Sequence, residues 1–266
     1  MRALDDRIRR QVIKAFIYDV FGGESAKGNP CGVVELGQWL ADSELLEVTH
    51  QLALPITAFV VKSGNAFDIR WFALDAEINL CGHGSLAAGT SLIEKYKLNK
   101  VTLNSDYGQV VIYRKEGLSQ IELPSWKGKP YSQLSDVPID LAALNQPVIE
   151  AFSTRDLVLI LDSEEAVKNF SPDFELYKQI KDLHAVMVTA KSSDDSYVLR
   201  YFAPKIGISE DLATGSAQCS LAPFWFDKLG KDKLSVRQLS SSGGCFEVER
   251  KTDSSIVVSA RVERRP

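Results

Sequence analysis

Side chains able to move a proton or hydrogen-bond gather at two places in this chain, Cys81-Gly82-His83-Gly84-Ser85 and Thr214-Gly215-Ser216-Ala217. Histidine is a common general acid–base group and a serine hydroxyl can hydrogen-bond beside it, so His83 and Ser216 are candidates for moving a proton or binding the group that carries it. Gly82, Gly84 and Gly215 would let a ligand approach the main chain closely, and Ser85 and Thr214 add hydroxyls that can bind it. Each group also stands where an apolar helical stretch begins. The first turn of a helix leaves N–H groups unpaired and carries partial positive charge, so a carboxylate or phosphate is the fitting ligand.

Both places lie behind similar aromatic segments, Arg70-Trp71-Phe72-Ala73 and Arg200-Tyr201-Phe202-Ala203. From the arginine to the glycine is 12 positions in one case (70 to 82) and 15 in the other (200 to 215). Taken singly, each motif reads equally as structure, since Ser and Thr cap helices and Gly makes tight turns in any protein. The recurrence favours two related halves, 1–125 and 126–266, whose helix starts face each other across one cleft.

The elements needed to hold such a site follow from hydrophobic periodicity. Val12 to Val20, Cys31 to Leu36, Thr57 to Val61, Phe67 to Phe72, Val101 to Leu103 and Gln109 to Tyr113 read as strands. Asp42-Ser43 caps a helix over Glu44 to Leu52, and Gly84 to Tyr96 is a helix apolar on most sides, which places it inside a sheet. Pro124 to Val137 is the connection between halves. The order then repeats with Leu157 to Leu161, a helical stretch over Ser163 to Ile180, strands Ala185 to Thr189 and Ser196 to Phe202, and a second core helix, Ser216 to Leu229. Cys245 to Val248 and Ser255 to Val262 close the chain as strands. The fold class is α+β, with two similar lobes that each wrap a curved mixed β-sheet around a central apolar helix.

Composition narrows the function classes. The 266 residues carry a net charge of −4 and no basic stripe with interleaved aromatics, so neither nucleic acid nor an anionic membrane is an expected partner. The charged start, Arg2 to Arg10, has no apolar signal core behind it, and no stretch is long enough to span a bilayer, so a cytoplasmic location is expected. Cys31, Cys81, Cys219 and Cys245 are widely separated, and His50, His83 and His184 lack metal-site spacing, so reduced thiols and no metal are expected.

Asp19-Val20-Phe21, Gly28-Asn29-Pro30, Cys81-Gly82-His83-Gly84 and Glu210-Asp211-Leu212-Ala213-Thr214-Gly215-Ser216-Ala217, in this order, resemble the PhzF family of phenazine-biosynthesis isomerases over nearly the whole chain. The resemblance implies a diaminopimelate epimerase-like fold, a homodimer, and proton transfer without a cofactor on a small carboxylated substrate held between the two central helices. It places His83, Asp211 and Ser216 at the family's catalytic positions, which makes these three the candidate catalytic residues for proton transfer, with Gly82 and Gly215 offering backbone donors beside them. The family's catalytic glutamate lies in a Ser-Glu-Thr-Ala-Phe segment. Here that segment is Pro55-Ile56-Thr57-Ala58-Phe59, and Ile56 can neither accept nor donate a proton. A catalytically silent or repurposed binding protein is therefore the alternative expectation.

Related racemases use a cysteine at each helix start, but here the second place is Thr214, which disfavours that mechanism. Cys81 is either a thiol with a pKa lowered by the helix N-terminus or a buried structural one. The same dipole would favour ionised Asp211 and depress the pKa of His83.

Overall fold

The computed structural model describes residues 13–266, so the charged start and Val12 lie outside the described residues. The first lobe contains β1 (Ala15–Val20), β2 (Asn29–Leu36), α1 (Asp42–Leu52), β3 (Ile56–Ser63), β4 (Ala66–Phe72), β5 (Glu77–Ile78), α2 (Gly82–Tyr96), β6 (Lys100–Ser105), β7 (Gly108–Lys115) and β8 (Leu118–Pro124). A short strand, β9 (Lys129–Pro130), leads on to β10 (Val148–Ser153), β11 (Leu157–Leu161), α3 (Glu164–Lys168), α4 (Phe174–Lys178), β12 (Val186–Ser193), β13 (Ser196–Phe202), α5 (Gln218–Leu229), β14 (Lys233–Gln238), β15 (Gly244–Thr252), β16 (Ser255–Ala260) and β17 (Val262–Arg264).

The pairing scheme occurs twice. In the first lobe β1–β2 is antiparallel, β2–β3 parallel, β3–β4 antiparallel, β4–β6 parallel, and β6–β7 and β7–β8 antiparallel. In the second, β10–β11, β11–β12, β12–β13, β13–β14, β14–β15 and β15–β16 follow the same sequence of directions. The lobes are joined where β8 pairs with β16. Just past that junction each chain end crosses over, so that β17 covers the edge of β1 and β9 covers the edge of β10. Each sheet thus curls into a nearly closed ring whose open edge is filled by the other lobe, which removes unpaired strand edges.

Inside the first ring lies α2, packed against β1, β2, β3, β6, β7, β8 and β17. Its Leu86, Ala87, Ala88, Leu92 and Ile93 are buried, and each large one stabilises by about 1.5–3 kcal/mol through burial. Close packing depends on Gly89, where a Cβ would come within 2.6 Å of Ile112 Cβ on β7. In the second ring α5 buries Leu221, Ala222, Trp225 and Phe226, with the Trp225 indole stacked on Tyr197 at 5.7 Å and donating to Thr189 Oγ1 at 3.0 Å.

Several local expectations are corrected. The cap of α1 is Ala41, whose N–H is held by Glu44 Oε2 at 2.8 Å, while Asp42 already lies in the first turn. The stretch Ser163 to Ile180 is two short helices, because Ser171-Pro172 interrupts it and Pro172 has no N–H to continue the ladder. A 3-10 turn over Gly215–Ala217 precedes α5, so the second regular helix starts at Gln218. Three strands, β8, β10 and β14, had no sequence expectation; in β8 and β14 polar residues interleave with the apolar ones and weaken the signal.

Pro223 inside α5 removes the donor that would bond the Cys219 carbonyl. Trp126, in the connection between lobes, supplies it instead, with its N–H 2.8 Å from Cys219 O.

Candidate active site

The site is built where the start of α2 meets the 3-10 turn before α5. Cys81 is the N-cap of α2, and its Sγ accepts from the Gly84 N–H at 3.3 Å. Gly84 is required there because a Cβ would lie 2.7 Å from the Trp71 ring. Ser85, a candidate binding residue, is fully buried and spends its hydroxyl on the Cys81 carbonyl at 2.7 Å, so its side chain rigidifies the turn. At Gly82, by contrast, a Cβ would meet no atom within 4 Å, leaving the first turn of the helix approachable.

His83 projects from the same turn. Its Nδ1 is 3.3 Å from Cys81 Sγ, and its Nε2 is buried with no hydrogen-bond partner among the described residues. Burial pushes the imidazole down to about 4, so the ring is neutral near pH 7. The direction agrees with the expectation, but desolvation is the cause. Of the two readings of Cys81, the buried structural thiol is the one found, since burial pushes its pKa up to about 12 and outweighs the N–H groups of Gly84 and His83. Cys81 is a protonated, buried thiol that holds the turn and one face of His83.

Asp211 comes from the opposite lobe, and the elements around it are tightly tied. Its own N–H bonds to Tyr201 O on β13 at 3.0 Å, Thr214 Oγ1 donates to its Oδ2 at 2.6 Å, and Asn29 Nδ2 from the first lobe donates to its Oδ1 at 3.1 Å. Gln238 on β14 completes the frame, with Nε2 donating to Asp211 O and Thr214 Oγ1 and Oε1 accepting the Thr214 N–H. Burial raises the Asp211 pKa, partly offset by Thr214, backbone N–H groups and Asn29. The expectation that a helix dipole favours the ionised form is thus corrected: the regular helix begins seven residues later (211 to 218), and desolvation prevails. Thr214 acts on Asp211. Ser216 is half-buried, and its carbonyl accepts from the Gln218 N–H while its hydroxyl has no side-chain hydrogen bond among the described residues.

Gly215 is needed for packing, as a Cβ there would come 2.9 Å from Phe21 Cζ. Phe21 ends the Asp19-Val20-Phe21 segment in a left-handed conformation, φ 67°, and packs against Phe246 with the ring planes tilted by 39°. Two further residues of the frame carried no site expectation. Gln238 is an isolated glutamine in a polar-looking strand and had no local signal. Asn29 had one, as the middle residue of Gly28-Asn29-Pro30.

Ile56 opens β3 and lies beside Cys31 in the ladder. It is 7% exposed and shares one apolar cluster with Cys31, Cys81, Phe21 and Ala213, on the face of the sheet that covers α2. Among the described residues, no three His, Cys, Asp or Glu side chains are close enough to hold a metal ion. No helix there is long and apolar enough to cross a membrane.

Two pseudo-equivalent rings around central helices, with titratable groups meeting between the helix starts, define the class of epimerase-like two-lobed proteins. The chain belongs to the phenazine biosynthesis-like protein family, whose model matches residues 18–254. It is 57% identical over 254 residues to an uncharacterized isomerase of Vibrio cholerae serotype O1, covering 96% of this chain and 90% of that one. A crystal structure of a putative phenazine biosynthesis PhzC/PhzF protein from Clostridium difficile matches with a TM-score of 0.88 at 32% identity, covering 96% and 98% of the two chains. The fold extends to a hydroxyproline epimerase from Agrobacterium vitis, with a TM-score of 0.56 at 13% identity over 95% of this chain and 91% of that one.

Proposed function

We propose that the protein is an isomerase or epimerase that moves a proton on a small carboxylated metabolite bound between the two lobes, with no cofactor. The observations that support this most directly are two differently poised groups from opposite lobes on either side of Cys81: a neutral His83 with an unpartnered Nε2, and an Asp211 carboxyl with both oxygens hydrogen-bonded and near enough to raise the Cys81 pKa. Asp211 removes the proton from a carbon next to a carboxyl or carbonyl group, and the C–H electron pair passes into an enolate-like system. The main-chain N–H groups of Gly82 and Gly215 and the Ser216 hydroxyl bind the oxygen on which charge develops. In this reading the Cys81 thiol donates to His83 Nδ1, 3.3 Å away, and the ring proton is carried on Nε2. That proton is delivered to a different carbon or to the opposite face, and solvent exchange restores both groups.

The test is NMR in D₂O with a panel of small amino and hydroxy carboxylic acids. Deuterium incorporation that disappears in His83→Ala supports the reading, and exchange unchanged by that substitution rejects it. A second reading, a silent or repurposed binding protein, is favoured by Ile56, which presents an apolar surface where relatives of known mechanism carry glutamate. Ile56→Glu separates the two: exchange appearing only in the variant identifies a protein that has lost the reaction. Location in the cytoplasm and assembly as a homodimer, without nucleic-acid or membrane partners, complete the proposal.

A further inference from the structure

The corner between β10 and β11 is the pseudo-equivalent of the corner between β1 and β2, and the two differ in a way that bears on the ligand. The β1–β2 corner is long and reaches the other lobe: Lys27 N–H bonds to Ser242 O at 2.8 Å, Gly28 N–H to Gly243 O at 3.1 Å, and Asn29 to Asp211. The β10–β11 corner is only Thr154-Arg155-Asp156 and stays against the first turn of α5, where Thr154 Oγ1 and Ser220 Oγ are 2.7 Å apart. It places a cation there.

Arg155 is held on three sides. Its Nε and Nη2 engage both oxygens of Asp156 at 3.2 and 3.0 Å, Nη2 also reaches Tyr201 Oη at 3.2 Å, and the guanidinium lies 5.3 Å from the centre of the Trp126 ring. Asp156 is fully buried, and Tyr201 is the residue whose carbonyl binds the Asp211 N–H. Trp126 is in turn fixed by Cys219 O of α5, the carbonyl that Pro223 leaves free. Nη1, with two N–H groups, has no partner among the described residues, and 40% of the Arg155 side chain is exposed. A surface arginine locked on one edge by a buried carboxylate and open on the other is a preorganised fork for a planar anion.

We propose that Arg155 is the specificity-determining anchor of the site, holding the substrate's carboxylate through Nη1 while Trp126 and Asp156 fix its orientation. This rests on the isomerase reading above and supplies what that reading leaves open, the group that selects acids over their neutral analogues.

The test uses benzoate and its neutral analogue benzamide, followed by the Trp126 indole N–H signal in ¹H–¹⁵N spectra of the whole protein. Benzoate is expected to shift that signal saturably and benzamide to leave it unmoved. Arg155→Gln should weaken benzoate about 10- to 100-fold, as expected for loss of a charge-assisted pair. Because that variant strands the buried Asp156 charge, the double variant R155Q/D156N is measured beside it and should show the same loss while remaining folded. No benzoate effect on Trp126, or equal binding in the double variant, overturns the proposal. Asp211→Asn distinguishes it from the isomerase reading: that variant should lose deuterium exchange and keep the Trp126 response. Exchange that survives Asp211→Asn counts against Asp211 as the base, not against the Arg155 anchor.

Discussion

Asn29 Nδ2 bonds Asp211 Oδ1 at 3.1 Å and Ala213 O at the same distance, linking residues 182 and 184 positions apart in sequence. The asparagine is 1% exposed and belongs to the first lobe, while the carboxyl it touches belongs to the second. One amide therefore both joins the lobes and steadies the charge on the candidate base.

Asn29→Ala removes both bonds and leaves the Ala213 carbonyl and one Asp211 oxygen without that donor. The expected cost is about 1–3 kcal/mol in denaturant unfolding. The Asp211 pKa should also rise further, because Asn29 is among the groups that lower it. Carbonyl-region NMR titration of labelled aspartate reads that shift, and an unchanged midpoint would show that the bond does not influence ionisation.

His83 and Asp211 should tilt stability against pH in opposite directions. The folded pKa of His83 is about 4, below its ordinary 6.5, so the folded ring binds fewer protons between those values. Its contribution is complete above pH 6.5 and is lost as pH falls toward 4, by on the order of 3 kcal/mol. The Asp211 pKa is raised above 3.8, so its contribution is present at lower pH and declines as pH rises through the raised value. Urea unfolding across pH 3.5 to 8 should be flatter on the acid side in His83→Asn than in the parent. Asp211→Asn should gain stability toward neutral pH. Parallel curves for all three proteins would contradict these assignments.

The repeat was legible because its punctuation is local. An arginine-aromatic strand followed by glycine and small polar residues marks each helix start, and each arginine is used alike. Arg70 Nε binds Glu77 Oε1 at 2.7 Å, and Arg200 Nε binds Glu210 Oε1 at 2.7 Å, tying each aromatic strand to the segment before its helix. What the sequence did not disclose depends on long-range contact. Gln238 frames Asp211 from the buried face of β14, and the groups it binds lie 24 to 27 positions away in sequence, while the crossing of β9 and β17 involves too few residues to carry a pattern. The direction of the Asp211 shift was also hidden, because a helix start announces its dipole while the desolvation that overrides it depends on burial in the folded chain.

Gly89→Ala should destabilise even though alanine is the better helix former. The propensity gain of about 1 kcal/mol is set against a Cβ placed 2.6 Å from Ile112 Cβ, an atom fixed to the β7 backbone. Overpacking of this kind costs about 1–3 kcal/mol, so a net loss of melting temperature is expected in calorimetry. Restoration in the Gly89→Ala, Ile112→Ala pair would confirm that the contact is responsible.

The three site glycines should respond differently to the same substitution. Alanine at Gly84 or Gly215 meets the Trp71 or Phe21 ring below 3 Å, and both aromatic residues are buried, so each variant should lose stability and activity together. At Gly82 nothing lies within 4 Å, so alanine fits the empty fold and adds helix propensity in the first turn. If a substrate oxygen approaches the Gly82 N–H, the new methyl stands in its path. Gly82→Ala should therefore match the parent in melting temperature while deuterium exchange falls about 10²-fold or more, the cost of one blocked oxyanion donor. Full exchange in a stable Gly82→Ala protein would move the ligand away from the start of α2.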